Sequence, residues 1–232
     1  MTTKTALVTG ANKGIGLEIA RGLRALGMDV LIGARDPIRG KEAAAAIGAT
    51  AVELDVTDED SIARAASRIE VLDVLVNNAG ILLERGAPPS ATPVSMLRDT
   101  YAVNVFGVVA VTTALLPALR RAPAARIVNL GSGLGSLAYA STPDHVYARN
   151  TLLAYNSSKS ALSAVTLSFA NELRDTAIKV NVADPGYCAT DLNGHAGPRT
   201  AAQGAVAAIR LATLPDDGPT GRFFDDEGEV PW

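Results

Sequence analysis

Tyr155 and Lys159 stand four residues apart in Tyr155-Asn156-Ser157-Ser158-Lys159, just ahead of the small and apolar residues 161–167. That spacing at the start of a helix puts phenol and ammonium on one face. A phenol titrates near pH ~10, and a fixed cation a few ångströms away lowers a neighbouring acid by about 1–3 units. The pair is therefore a proton donor with a cation beside it, suited to general acid–base work. An exposed Tyr-Lys pair on an ordinary helix fits the same five residues, so the elements that would position it decide the matter. A second hydroxyl, Ser132, follows the apolar run at residues 126–130 inside Gly131-Ser132-Gly133-Leu134-Gly135. At the carboxyl end of a strand such a hydroxyl can donate to a developing oxyanion.

The chain has 232 residues, 48% of them hydrophobic but only 4% aromatic, so small aliphatic side chains must fill its core. Its length suits one substantial domain. Ala, Val, Leu and Ile runs broken by 21 glycines and 12 prolines fit parallel strands covered by helices. A net charge of −3 gives no electrostatic ground for nucleic acid or an anionic membrane as partner. Cys188 stands alone, so no intrachain disulfide forms, and with His145 and His195 it makes no metal-ligand cluster. No apolar run near the ~18 residues of a membrane span and no secretory leader is read from the chain, which fits a reducing cytoplasm.

Residues 5–9, Thr-Ala-Leu-Val-Thr, form a short β-type run, followed at once by Gly10-Ala11-Asn12-Lys13-Gly14-Ile15-Gly16 and by Ile19, Leu23 and Leu26 at helical spacing. Strand, glycine loop and helix are the parts of a dinucleotide site. Gly10 makes the tight turn, Gly14 lets backbone approach a pyrophosphate, Gly16 permits close helix–sheet packing, and the helix N-terminus offers free N–H groups. Further strands are expected at residues 29–33, 51–54, 72–76, 126–130, 178–182 and 221–224, with helices between them.

Thr9-Gly10-x-x-x-Gly14-x-Gly16, Asn77-Asn78-Ala79-Gly80, Asn104, Ser132, Tyr155-x-x-x-Lys159 and Pro185-Gly186, in this order, resemble the short-chain dehydrogenase/reductase family. Gly10-Ala11-Asn12-Lys13-Gly14-Ile15-Gly16-Leu17, Ala34-Arg35-Asp36 with Arg39, and Gly218-Pro219-Thr220-Gly221 bring it nearest the carbonyl-reductase-like branch. The resemblance implies one doubly wound Rossmann domain over residues 1–232, with a mainly parallel, seven-stranded sheet. It implies a catalytic set of Asn104, Ser132, Tyr155 and Lys159, in which Lys159 also holds the ribose and acidifies Tyr155, and Asn104 holds a water that connects the lysine to solvent. It places Gly10, Asn12, Lys13, Gly14, Ile15 and Gly16 on the cofactor, Asp55 and Val56 beside the adenine, and Asn78, Ala79 and Gly80 along its length. It puts Pro185, Gly186 and Thr190 beside the nicotinamide, and Tyr187 over the substrate. One departure stands out: relatives often carry serine where this chain has Gly131, which leaves Ser132 as the aligned donor and Ser136 as a substrate contact at most.

The end of the second strand decides between NAD and NADP, since a carboxylate holds the ribose 2′-hydroxyl whereas a guanidinium pairs with a 2′-phosphate. Asp36 sits where an NAD-type acid would, but Pro37 follows it and opens a helix through residues 38–47, which reads as an N-cap with proline in the first turn. Arg35, Lys13 and Arg39 then favour NADP(H). Thr57-x-x-Asp60 resembles a capping box for a helix carrying Ile62 and Ile69. Residues 93–116 read as one long helix with the polar Asn104 among valines.

The expected activity is NADPH-dependent reduction of a ketone or aldehyde. Two other readings stay open: a non-catalytic NADP-binding sensor, and an enzyme of the extended branch such as an epimerase or dehydratase. An alcohol dehydrogenase working mainly in the oxidative direction follows the same chemistry reversed. The complete Asn104-Ser132-Tyr155-Lys159 set speaks against the sensor, and the glycine spacing with no room for a separate substrate domain against the extended branch. Cys188 is expected to be inert and His145 a surface residue. Residues 137–151, more than the family's simplest members carry before the tyrosine, read as a loop beside the site. Lying over the helices of Asn104 and Tyr155, they would favour a monomer over a homodimer.

Overall fold

The computed structural model describes residues 3–232. Each apolar run becomes a parallel strand: β1 (Thr5–Thr9), β2 (Asp29–Ala34), β3 (Thr50–Glu53), β4 (Val74–Asn77), β5 (Arg126–Leu130), β6 (Lys179–Ala183) and β7 (Phe223–Phe224). They form one seven-stranded parallel sheet in the order β3-β2-β1-β4-β5-β6-β7. The order reverses between β1 and β4, the place where ligands gather in doubly wound sheets. Both faces are covered, which is why the strands read as unbroken apolar runs. In β1, Ala6 and Val8 pack with Ile19 and Leu23 of α1 (Gly14–Ala25) and Leu211 of α8 (Ala201–Ala212). Leu7 points the other way, into a cluster with Leu75, Ile127, Leu115 and Leu119.

Local chemistry sets the helix starts. Asp36 caps α2 (Pro37–Ile47): its Oδ1 accepts from the backbone N–H groups of Ile38 at 2.9 Å and Arg39 at 3.2 Å. The expected capping box at Thr57 is not formed. Asp58 caps α3 (Glu59–Ala66), and the Thr57 hydroxyl instead donates to Asp55 Oδ1 at 2.7 Å. Thr57 is held in a turn by that carboxylate, so it is unavailable to the helix, which also ends before Ile69.

The long helix divides. α4 (Val94–Tyr101) passes through a π-helical turn, Ala102–Phe106, into α5 (Gly107–Arg121). Together they correct the expectation of no span-length apolar run: Val94–Arg121 covers 28 residues, long and apolar enough to cross a membrane. Half of its most apolar window is buried inside the protein, and Val105, Val108, Val111, Leu115 and Leu119 belong to the core. Tyr155 and Lys159 lie on α7 (Leu153–Glu172). A buried chain of side chains fixes α5 and α7 to the sheet, Asn77 Nδ2 donating to Thr112 and Asn129, and Asn129 Nδ2 to Thr166.

Residues 137–151 are the expected loop only in part: the first five are helical and the remainder runs in turns. Ser136 caps a short helix, α6 (Leu137–Ser141), by accepting from the Tyr139 N–H, and its own hydroxyl donates to the Pro231 carbonyl. Ser136 is thus buried structure, and the substrate contact allowed for it is corrected. His145 lies off the cleft, partly exposed, and stacks on Tyr139 with ring centroids 4.0 Å apart. The segment is held by the C-terminal residues, Ala138 N–H donating to the Trp232 carbonyl, while Phe106 in the π-helical turn, Val109 on α5 and Ala164 on α7 are exposed.

Candidate active site

The carboxyl ends of β1, β2, β4, β5 and β6 open on one cleft of roughly 700 Å³. Its floor is built from backbone. Gly10 and Gly14 have φ of +63° and +58°, in the left-handed region that costs glycine nothing. A Cβ at Gly16 would lie 2.3 Å from Asn78 Nδ2, so only glycine lets α1 start this close to the sheet. Asn78 donates to the carbonyls of Thr9 and Gly10, and Thr9 Oγ1 accepts from the N–H groups of Asn78 and Ala79 at 3.0 Å each. The ends of β1 and β4 are thereby locked together, with the N-terminus of α1 facing the cleft. A backbone cradle and free helix N–H groups fit a pyrophosphate, so the residues present suit a dinucleotide.

The structure brings most of the sequence-derived residues to this cleft. Gly10, Asn12, Lys13, Gly14, Ile15 and Gly16 line one end. Arg35, Asp55 and Val56 form the neighbouring wall, and Asn78, Ala79 and Gly80 the centre. Tyr155, Lys159, Pro185 and Thr190 complete the wall. Five expected residues are not on its wall. Arg39 pairs with Asp36 at 3.4 Å, because the turn of α2 points it there. Gly186 lies behind Pro185, and Tyr187 is exposed. Ser132 adjoins the wall residue Gly131, its Oγ accepting from the Leu134 N–H. Gly131 itself packs so closely that a Cβ would meet Val182 at 2.3 Å, which accounts for glycine where serine is common.

Asn104 sits behind the cleft in the π-helical turn. Its Oδ1 accepts from the Ile81 N–H at 2.8 Å, and its Nδ2 donates to the Ile81 carbonyl and to Ser158 Oγ, both at 3.0 Å. The amide therefore pins the chain leaving β4 against α7.

Burial governs the acid–base pair. The Tyr155 phenol is held well above its ordinary value, first by burial and then by the negative Asp184, while the Ser132 hydroxyl works in the opposite direction. The expected acidification by Lys159 is a correction. The Lys159 Nζ donates to the Leu130 carbonyl at 2.7 Å and lies 5.6 Å from the Tyr155 ring centroid. Burial lowers that ammonium to about 8, with Asp184 pulling the other way. Both partners are out of water, so each is displaced toward its neutral form.

Several site residues were missed. Asp184 is buried and accepts from the N–H groups of Gly133 at 2.9 Å and Gly186 at 2.8 Å, tying the Ser132 loop to the Pro185-Gly186 turn. An acid ending an apolar strand just before Pro-Gly was the available signal. Ile81, Leu82, Leu83 and Leu192 give the cleft an apolar wall. Asp191 accepts from Lys13 and from His195, bridging the cleft mouth. Cys188 is buried, its thiol raised by that burial, as an inert packing residue would be.

Residues 4–200 match the family model described as short chain dehydrogenase. The short-chain dehydrogenase anuI of Penicillium roqueforti is 35% identical over 248 residues, covering 99% of this chain and 97% of its own. The carbonyl reductase [NADPH] 1 of Sus scrofa is 31% identical over 278 residues, with 99% and 94% covered. Among solved structures, the NADPH-bound carbonyl reductase from chicken fatty liver superposes with a TM-score of 0.87 at 27% identity, covering 100% of both chains.

Proposed function

The chain belongs to the short-chain dehydrogenase family, an oxidoreductase family that works with a nicotinamide cofactor, and we propose that it is an NADPH-dependent reductase of ketone or aldehyde carbonyls. The observation that carries this reading is the placement of Tyr155 and Lys159 on the wall of the same cleft as the glycine loop. NADPH supplies the hydride when bound. Tyr155 donates the proton to the carbonyl oxygen, Ser132 stabilises that oxygen, and Lys159 orients the ribose. Asn104 supports proton supply by fixing Ile81 and Ser158. Gly186 and Thr190 stand by the nicotinamide and Tyr187 over the substrate, in a chain that acts as one domain in the cytoplasm. The apolar wall of Leu82, Leu83 and Leu192 favours carbonyls with a hydrophobic body.

NADPH consumption over a panel of ketones and aldehydes tests the reading. Turnover of at least one hydrophobic carbonyl is expected. Tight NADPH binding with no turnover across the panel would return the protein to a sensor, and faster NADP-dependent alcohol oxidation would reverse its working direction.

The same reading takes the protein as a monomer. The outward face of the π-helical turn, α5 and α7 carries Phe106 and Val109 as exposed apolar residues beside Ala164 and Ser168, too little apolar surface for an obligate interface. Light scattering after size exclusion is expected to give a mass near 23.9 kDa. A stable dimer or tetramer would assign that face to a second copy.

A further inference from the structure

The chain leaving β4 makes the apolar wall at Leu82 and Leu83 and then turns inward at Glu84, which is 7% exposed. Glu84 comes from 70 residues earlier than α7, yet both its oxygens end there. Oε1 accepts from the Ala154 N–H at 3.0 Å and Oε2 from the Tyr155 N–H at 2.9 Å. These belong to the first turn of α7, where backbone N–H groups lack helical partners. The residue at the cap position, Leu152, supplies no side-chain bond. Among the described residues no cation pairs with Glu84, so what its carboxylate holds in place of solvent is this backbone together with the positive end of the helix.

We propose that Glu84 is the positioning residue for Tyr155: it caps the catalytic helix from outside and ties the phenol's place to the Leu82-Leu83 wall. Asn104 makes the companion tie, through Ile81, three residues before Glu84, and Ser158, three residues after Tyr155. Wall and proton donor then share one frame, and a carbonyl lying against the leucines meets the phenol at a fixed distance. The proposal rests on Tyr155 being the proton donor.

Glu84→Ala is expected to lower kcat about tenfold with KM for NADPH within about twofold, since an ångström of misplacement can cost on the order of 10²-fold in rate. Amide exchange at Ala154 and Tyr155, followed by NMR, should accelerate in the same variant. Adding Leu152→Asp places a carboxylate at the cap position and should restore much of both. A folded Glu84→Ala protein with native kcat overturns the proposal, as does faster exchange without loss of kcat. Should Glu84→Ala not fold, Glu84→Gln, which keeps one acceptor, decides: a smaller fall in kcat with unchanged KM for NADPH is expected, and native kcat overturns it. If native protein turns over no carbonyl, the reductase reading fails on its own. The exchange rates then still judge the tether, and rates unchanged at both amides sink it.

Discussion

Tyr155→Phe should keep NADPH binding and lose turnover by a factor on the order of 10² or more, the usual contribution of a positioned general acid. The substitution removes one hydroxyl from a residue already 8% exposed, so the fold should survive. The direction of the phenol's displacement gives the effect a sign. Burial holds Tyr155 above its ordinary value, so near neutral pH it is protonated and ready to donate, as carbonyl reduction requires. Alcohol oxidation needs the phenolate, which the same burial disfavours and which high pH alone would supply. Native activity should therefore show reduction holding across neutral pH and oxidation rising with alkalinity. NADPH oxidation by the variant at a rate comparable to the native protein would remove Tyr155 from its role, and cofactor fluorescence would show whether binding persists.

Why so much of this was readable, and where reading stopped, follows from the range of the contacts involved. β1, β5 and α2 appear within a residue of expectation because a short apolar run, proline and an Asp cap are local signals. The glycine loop is equally local, since the φ angles of Gly10 and Gly14 demand that residue type wherever they occur. Contacts across the fold left no such mark. Glu84 reaches α7 over 70 residues and Asp184 reaches Gly133 over 51, and although Asp184 ends an apolar strand just before Pro-Gly, neither sits in a spacing that says which partner it meets. The π-helical turn at Asn104 escaped because the apolar period hardly changes across it. The acid–base electrostatics were misjudged for a related reason: spacing puts Lys159 near Tyr155, but burial and Asp184 act on its charge, and its Nζ is turned to the Leu130 carbonyl.

Arg35→Asp should weaken NADPH and favour NADH, shifting the ratio of kcat/KM for the two by about ten- to a hundredfold, because a charge-assisted hydrogen bond is worth roughly 1.5–3 kcal/mol. The sequence offered three bases for a 2′-phosphate and one acid for a 2′-hydroxyl. Asp36 is committed to the start of α2 and to Arg39, which leaves neither of that pair aimed at the cleft. Lys13 lines the cleft but is engaged by Asp191 at its mouth. Both partners are more than half exposed, so solvent screens the pair and Lys13 can turn to a phosphate at little cost. Arg35 is exposed on the cleft wall and, among the described residues, pairs with no carboxylate. It is therefore the base that a phosphate would meet first, and aspartate in its place both removes that partner and adds repulsion. An unchanged NADPH-to-NADH ratio would transfer the preference to Lys13, and Lys13→Ala, expected to weaken NADPH less than Arg35→Asp does, would then show the larger loss.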